Sequence, residues 1–422
     1  MKYETVFEKC KKIFPYITWG AIERKNLGKE CLTFGYTKPL NFLGENILKF
    51  ESCVDAIWKH KDSPAYYLVR KDIENFVIKI LWEIRDTSEI ITKNNTNLRN
   101  QWDDLLNKPI QDYKVVFPIY GLVISKATQL GMFSAYNSSD YRKFIAGHIN
   151  IATEQIENLS LVKDDLNYLV LSPVKAKDIQ RAIELAKPHF KLFEYVAKFW
   201  LYDNDNFDIG IFNYNEWRSE NGYAFKASSS ETDESFASSL KSKGAFQKIN
   251  VEDLTSPSLM FLWRIVSKYI NGCTTELENR LINAIRWIGI ANSNDSEVTK
   301  YVQYVFAFES LLAYNPKNEF ITPSISAQLA EYAAFIVGEK ANESTISKQE
   351  LRKKIFKDVK KMYANRSKIV HGNDSSMDKS VISDARELIY VIINSVMFNK
   401  KILQMSSMAE LSQWIEDLKF RT

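Results

Sequence analysis

Apolar residues in the second half of the chain recur every three or four positions, which is the spacing of amphipathic helices. From residue 258 onward this pattern predicts helices at 258–271, 275–290, 296–314, 324–337, 348–371 and 382–403. Gly338 and Gly372 follow two of these helices, where a left-handed terminal residue is favoured. The C-terminal part is therefore expected to be an all-α bundle.

The first 200 residues have a mixed pattern. Short runs at 31–36 and 113–119 are rich in strand-forming residues and are bounded by Gly, Pro and Asn, as strands usually are. Apolar positions in 65–85 have helical spacing, and residues 140–200 are also predicted to be helical. Within that stretch Pro188 is expected to separate two helices or to kink one.

A change in composition separates the two parts of the chain. Residues 203–208 are mostly alternating Asn and Asp, and residues 227–244 contain seven Ser. Such a segment cannot bury much apolar surface. We interpret residues 201–250 as a flexible connection between an N-terminal domain, 1–200, and a C-terminal domain, 251–422. A surface insertion within one helical domain is the alternative.

The expected fold class is therefore α+β overall, with a mixed α/β N-terminal domain followed by an all-α helical bundle. The 422 residues are 45% hydrophobic and 26% charged, as in folded globular proteins. The net charge of +4 excludes a uniformly basic coat but leaves a local basic patch open. Without a signal segment, a run of roughly 18 apolar residues or a Cys-x-x-Cys pair, a cytoplasmic location is expected.

Familiar catalytic sequences are absent: there is no G-x-x-x-x-G-K-[ST], G-x-G-x-x-G, G-x-S-x-G or H-E-x-x-H. We therefore expect neither a metal nor a cofactor. Three of the four histidines, His60, His148 and His189, lie in settings without a nearby carboxylate or cysteine pattern. His371 is the exception, because of the residues that precede it.

Arg366 falls on an apolar stripe of the helix that leads to His371. Met362 precedes it by four residues and Ile369 follows it by three. A guanidinium facing a core is costly unless it is paired or lines an interface. Glu309 interrupts an apolar stripe of another helix in the same way, so we predict a Glu309–Arg366 ion pair, with Glu309 at the edge of its stripe as the alternative.

The surroundings of His371 are basic. Residues 340–371 contain ten Lys or Arg and three Asp or Glu. The negative end of the helix dipole favours a protonated imidazole, which suits proton transfer, while a guanidinium fork matches phosphate oxygens. The basic run favours a polyanion such as RNA, with a solvated helix face as the alternative.

The sequence from Met362 to Gly372, MYANRSKIVHG, resembles the HEPN superfamily and most closely its Apea-like branch, which is marked by an Arg, four to six residues and then a His. The pieces FESLL at 308–312 and QLAEYAA at 328–334 also resemble that branch. The resemblance covers about residues 258–405. It implies an HEPN-type helical bundle that usually forms a homodimer, with the Arg-His pairs of both protomers in one composite cleft.

The same resemblance implies a metal-independent endoribonuclease, toxin-like or an anti-phage effector, which cleaves RNA such as tRNA by 2′-hydroxyl attack. Arg366 would stabilise the phosphate and His371 would transfer the proton. Supporting residues would be Glu309, Tyr363, Asn365 and Ser367. RNA-binding residues would be Lys353, Lys354, Lys357, Lys361 and Lys368. By analogy, residues 1–200 would form a sensor or regulatory domain whose trigger the sequence does not reveal.

Two further hypotheses stay open. The first is a non-catalytic HEPN module that binds nucleic acid or a nucleotide. The second is a structural dimerisation unit in which Arg366 and Glu309 form a buried stabilising pair. Cleavage of RNA would favour the endoribonuclease, and binding without cleavage would favour the non-catalytic module. Neither activity would favour the structural dimerisation unit.

Overall fold

A computed structural model of the protein describes residues 1–20, 30–35, 39–59, 64–149, 166–201, 209–210, 223–226, 248–294, 296–314, 324–339, 347–370 and 377–420. Contacts divide the chain into two compact units. The first unit comprises Met1–Val115, Ser172–Ala186 and Tyr223–Ser235. The second unit comprises Val116–Leu171, Lys187–Gly222 and Phe236–Thr422.

Helices dominate the described residues and several small sheets accompany them, which confirms the α+β class. The α-helices are α1 Tyr3–Ile13, α2 Asn46–Trp58, α3 Arg70–Asp86, α4 Glu89–Lys93, α5 Thr96–Asn107, α6 Ser138–Ile149, α7 Ile179–Trp200, α8 Pro257–Ile270, α9 Glu276–Ala291, α10 Glu297–Leu312, α11 Ile325–Gly338, α12 Lys348–Val370, α13 Lys379–Phe398 and α14 Met408–Lys419. The strands are β1 Thr18–Trp19, β2 Cys31–Phe34, β3 Leu40–Leu43, β4 Gln111–Ile119, β5 Leu122–Val123, β6 Thr128–Leu130, β7 Phe133–Tyr136, β8 Asn167–Ala176, β9 Tyr223–Lys226 and β10 Ile249–Asn250.

The first unit packs helices α1, α2, α3 and α5 around one apolar core. Phe76 of α3 stacks on Trp102 of α5 with ring centroids 5.0 Å apart, and both rings are buried. The small antiparallel sheet has the order β1-β3-β2, with Cys31 opposite Leu43. The predicted strand at 31–36 and the predicted helix at 65–85 are both present here, as β2 and α3.

The second unit combines a small sheet with the C-terminal helices. Its sheet includes the antiparallel run β6-β7-β8, in which Phe133 lies opposite Leu171. The ring of Phe133 contacts Phe193 of α7 at 5.2 Å, and Phe193 stacks on Trp263 of α8 at 5.0 Å. Aromatic rings therefore join the sheet face to the helices.

The all-α character predicted for the C-terminal part is confirmed, because α8 to α14 contain nearly all of its described residues. Capping explains where these helices begin. Thr275 and Glu278 form a capping box at α9, since the Thr275 hydroxyl accepts from the Glu278 amide at 3.2 Å and the Glu278 carboxylate accepts from the Thr275 amide at 2.9 Å. Ser296 caps α10 in the same position.

Two local predictions are wrong. Residues 167–176 were expected within a helical stretch, but they form strand β8, whose consecutive residues Tyr168 to Leu171 are buried. A continuous apolar run has no periodicity that separates a strand from a helix. Gly338 was expected in the left-handed region, but it belongs to α11. Its missing side chain matters for packing, because a Cβ there would lie 2.6 Å from Cγ of Arg352.

The chain passes through Pro188 within the single helix α7 rather than breaking there. The boundaries of the two compact units differ from those of the predicted domains 1–200 and 251–422. The division of function between these domains stays a prediction. Most of 201–250 lies outside the described residues, so its flexibility is also untested. Among the helices that the structure describes, none is long and apolar enough to cross a membrane.

Candidate functional site

Helix α12 has one buried side and one exposed, basic side. Ile355, Val359 and Met362 are buried. The lysines predicted to bind RNA are all exposed; they are Lys353, Lys354, Lys357, Lys361 and Lys368. Exposed ammonium groups can approach phosphates without desolvating a core, so the helix presents a surface that suits a polyanion.

Arg366 lies on the buried side of α12, seven residues after Val359, and its side chain is half-buried. Its guanidinium carbon is 5.9 Å from the ring centroid of Phe306 and 5.9 Å from that of Tyr363. Within the described part of the chain, its Nε is buried without a hydrogen-bond partner. Two aromatic rings therefore flank this cation, at a distance where cation–π attraction is still felt.

The predicted Glu309–Arg366 ion pair is not formed among the described residues. Glu309 is half-buried on α10, and its carboxylate instead acts on the Tyr363 hydroxyl. Burial raises the pKa of Tyr363, and the charge and hydrogen bond of Glu309 raise it further, while Arg366 opposes the rise. Tyr363 therefore interacts with both members of the predicted Glu309–Arg366 pair.

This arrangement leaves the guanidinium available to an external anion. A half-buried cation without a carboxylate keeps its full charge in a region of reduced dielectric, where attraction to a phosphate is stronger than in water. The Tyr363 phenol donates its hydrogen bond to the Glu309 carboxylate, so this acid has a partner other than Arg366. Arg366, Tyr363 and Glu309 are therefore brought together, although not in the predicted pairing.

Asn365 is not brought to the same place. The side chain of Asn365 hydrogen-bonds to Tyr301 of α10, and it lines a cleft on the other flank of α12. Ser367 is half-buried, and no contact in the described part of the chain assigns it a role. His371 and Gly372 lie outside the described residues, so the Arg366–His371 arrangement stays a prediction.

The cleft beside Asn365 has a volume of about 400 Å³ and an apolar floor that includes Ile355 and Leu388. Its rim carries charges of both signs: Lys354, Lys361, Asp358, Asp384 and Glu387. Because acids outnumber the lysines there, this cleft is a poorer anion site than the exposed side of α12. Two of the five predicted RNA-binding lysines therefore share their surroundings with carboxylates.

Tyr301 at the base of the cleft gives a pH test of this packing. Its hydroxyl donates to the Met362 carbonyl at 2.8 Å, and burial raises its pKa to about 12, with Asn365 opposing the rise and Asp384 adding to it. From the ordinary pKa of 10.0 to about 12, the unfolded chain loses this proton while the folded chain keeps it, so stability falls as pH rises.

We expect the Tyr301→Phe variant to lose less stability than the wild type between pH 10 and pH 12. Urea unfolding at several pH values measures the difference. At pH 8 Tyr301 is protonated in both the folded and the unfolded wild type. The free energy of unfolding of the variant should therefore differ there only by the lost hydrogen bond, about 1 kcal/mol. Equal pH dependence in the two proteins would contradict the assignment.

Sequence reasoning missed two aromatic residues. Phe306 lies three residues before Glu309 on α10 and packs against Trp287 of α9, with ring centroids 5.1 Å apart. Its position one helical turn before Glu309 could have indicated it from the sequence, because residues three apart are neighbours on a helix surface. Phe356 of α12 was also missed; it is 38% exposed and lies within the basic run.

No group of three or more His, Cys, Asp or Glu that could hold a metal ion occurs in the part of the chain that the structure describes. Comparisons of the chain with protein-family models, with curated proteins and with solved structures find no match.

Proposed function

We propose that this protein is a metal-independent endoribonuclease of HEPN type, a cytoplasmic toxin-like or anti-phage effector that cleaves RNA such as tRNA. The observation that supports it most is Arg366, a half-buried guanidinium flanked by Phe306 and Tyr363, with no carboxylate partner in the described part of the chain. The exposed lysines of α12 supply the accompanying attraction for a polyanion.

In the proposed reaction the 2′-oxygen forms a bond to the adjacent phosphorus, and the bond from phosphorus to the 5′-oxygen breaks. A base removes the 2′-hydroxyl proton and an acid gives a proton to the departing 5′-oxygen. His371 performs proton transfer, and in a dimer the second His371 supplies the other half. Arg366 binds the phosphate oxygens that gain negative charge in the transition state.

A homodimer is part of this proposal, because the composite cleft needs an Arg366 and a His371 from each protomer. We expect the purified protein to sediment at twice the chain mass of 48.9 kDa at micromolar concentration. Analytical ultracentrifugation without denaturant measures this. A monomer at the concentration where RNA is cleaved would remove the composite-cleft mechanism.

Cleavage of total RNA in the presence of EDTA tests the activity itself. The wild type should give discrete fragments, and Lys400→Ala should give the same fragments, because Lys400 is an exposed lysine two residues after α13 and outside the proposed site. Binding without fragments would favour a non-catalytic nucleic-acid-binding module, whose observed basis is the exposed basic side of α12. Neither binding nor fragments would favour a structural dimerisation unit.

A further inference from the structure

Phe356 is an exposed aromatic residue surrounded by cations. It lies on the exposed part of α12 with 38% of its surface accessible. Its helical neighbours at −3, +1 and +4 are Lys353, Lys357 and Lys360, and all three are exposed. Residues three and four apart on a helix have adjacent side chains, so the ammonium groups of Lys353 and Lys360 border the ring, whereas Lys357 faces away from it.

Phe356 also lies on a flank of α12 that leads to Arg366. Residues 356, 360, 363 and 367 recur at four, three and four, which places Phe356, Lys360, Tyr363 and Ser367 along one side. Along the helix axis, Phe356 is about 15 Å from Arg366 at about 1.5 Å per residue. An RNA strand bound along this flank would contact both the ring of Phe356 and the guanidinium of Arg366.

The charges on this flank differ from those of the cleft on the other side. The acids Asp358, Asp384 and Glu387 belong to the cleft lining, together with Lys354 and Lys361. Lys360 is 3.4 Å from the Ser326 hydroxyl of α11, a neutral partner, and no carboxylate among the described residues forms an ion pair with it. Glu350, three residues before Lys353, is outnumbered by Lys353, Lys357 and Lys360, so the cations near Phe356 have the stronger attraction for phosphates.

We propose that Phe356 stacks on an unpaired base of single-stranded RNA while Lys353 and Lys360 bind the flanking phosphates, so that the strand runs along α12 to Arg366. This inference rests on the proposed function and assigns Phe356 to it as a further substrate-binding residue. Bases within a duplex are already stacked on one another, whereas unpaired bases stack readily on aromatic side chains. A protein partner fits less well, because lysines are depleted from the buried centres of protein interfaces.

Binding of an unstructured 2′-O-methyl RNA oligonucleotide tests the inference separately from cleavage, because this probe has no 2′-hydroxyl to react. We expect Phe356→Ala and Phe356→Leu to weaken its binding by about 5- to 150-fold, the range for loss of one base–aromatic stack. Phe356→Trp should bind at least as tightly as the wild type. Binding of a duplex of the same sequence should change by less than about twofold in all three variants.

The lysines have a separate expected result. Lys353→Gln and Lys360→Gln should each reduce the slope of log affinity against log salt by about 0.7, the value for one phosphate contact on a single strand. Lys400→Gln is the matched control and should leave the slope unchanged. Unchanged slopes in both variants would contradict the proposed phosphate contacts.

The other outcomes overturn the inference. Wild-type affinity in Phe356→Leu, equal losses for single strand and duplex, or no binding by the wild type would each do so. A change in sedimentation mass with unchanged RNA affinity would assign Phe356 to a protein contact. If Arg366→Ala abolishes cleavage while Phe356→Leu binds RNA normally, the proposed function survives and only this inference fails.

Discussion

Replacing Arg366 by alanine should lower the rate of RNA cleavage by about 10²- to 10³-fold, the loss expected when one preorganised donor to a developing oxyanion is removed. Among the described residues no carboxylate pairs with this guanidinium, so little of its charge is compensated before RNA binds. His371→Ala should cause a loss of at least this size, because proton transfer would depend on it. Single-turnover cleavage of end-labelled RNA measures both effects.

Arg366→Lys is the informative companion to the alanine variant. It keeps the positive charge but loses the planar fork, so we expect it to bind RNA with near wild-type affinity and to cleave at least ten times more slowly. Circular dichroism and sedimentation should match the wild type for all three variants. If Arg366→Ala unfolds the protein or dissociates the dimer, the residue is structural and the rate loss says nothing about catalysis.

The largest expected loss of stability comes from Trp263→Ala, at about 3–5 kcal/mol. Trp263 is fully buried in the second unit, and its indole N–H donates to the Leu254 carbonyl at 3.0 Å. Its ring stacks on Phe193 with centroids 5.0 Å apart. The substitution removes this stack, leaves a cavity and strands a buried carbonyl, and urea unfolding followed by circular dichroism measures the sum.

Trp287→Ala is the matched control for that experiment. Trp287 is half-buried on α9, and its ring contact is with Phe306 at 5.1 Å. Since less surface returns to water and less cavity remains, we expect less than half the loss seen for Trp263→Ala. Equal losses in the two variants would contradict the position of Trp263 at the centre of this core.

The helical part of the fold could be predicted closely because its signal is periodic. The helix expected at 275–290 is Glu276–Ala291, and the helix expected at 348–371 is described as Lys348–Val370. Each buries one stripe against its neighbours, so the spacing of apolar residues carries the structure. The strand at Asn167–Ala176 has no such signal, because its apolar residues are consecutive and buried.

Helical spacing also predicted the partial burial of Arg366, but not the residue that faces it from α10. A stripe gives the direction of a side chain around its own helix, and Arg366 is half-buried as the stripe required. Which side chain faces it from α10 depends on how the helices cross, which spacing does not contain. The structure therefore has Phe306 of α10 beside the guanidinium where Glu309 was expected, whereas Tyr363 precedes Arg366 by three residues on α12 and is a neighbour that spacing does give.

The chemical ends of the RNA fragments test the central claim most directly. Wild type, Arg366→Ala and His371→Ala are incubated with one defined RNA in EDTA, and the new termini are identified by mass spectrometry. The account predicts 2′,3′-cyclic phosphate and 5′-hydroxyl ends from the wild type alone, because the 2′-oxygen attacks and the 5′-oxygen leaves. Cleavage retained in both variants, or 5′-phosphate ends that appear only when magnesium is added, would contradict it.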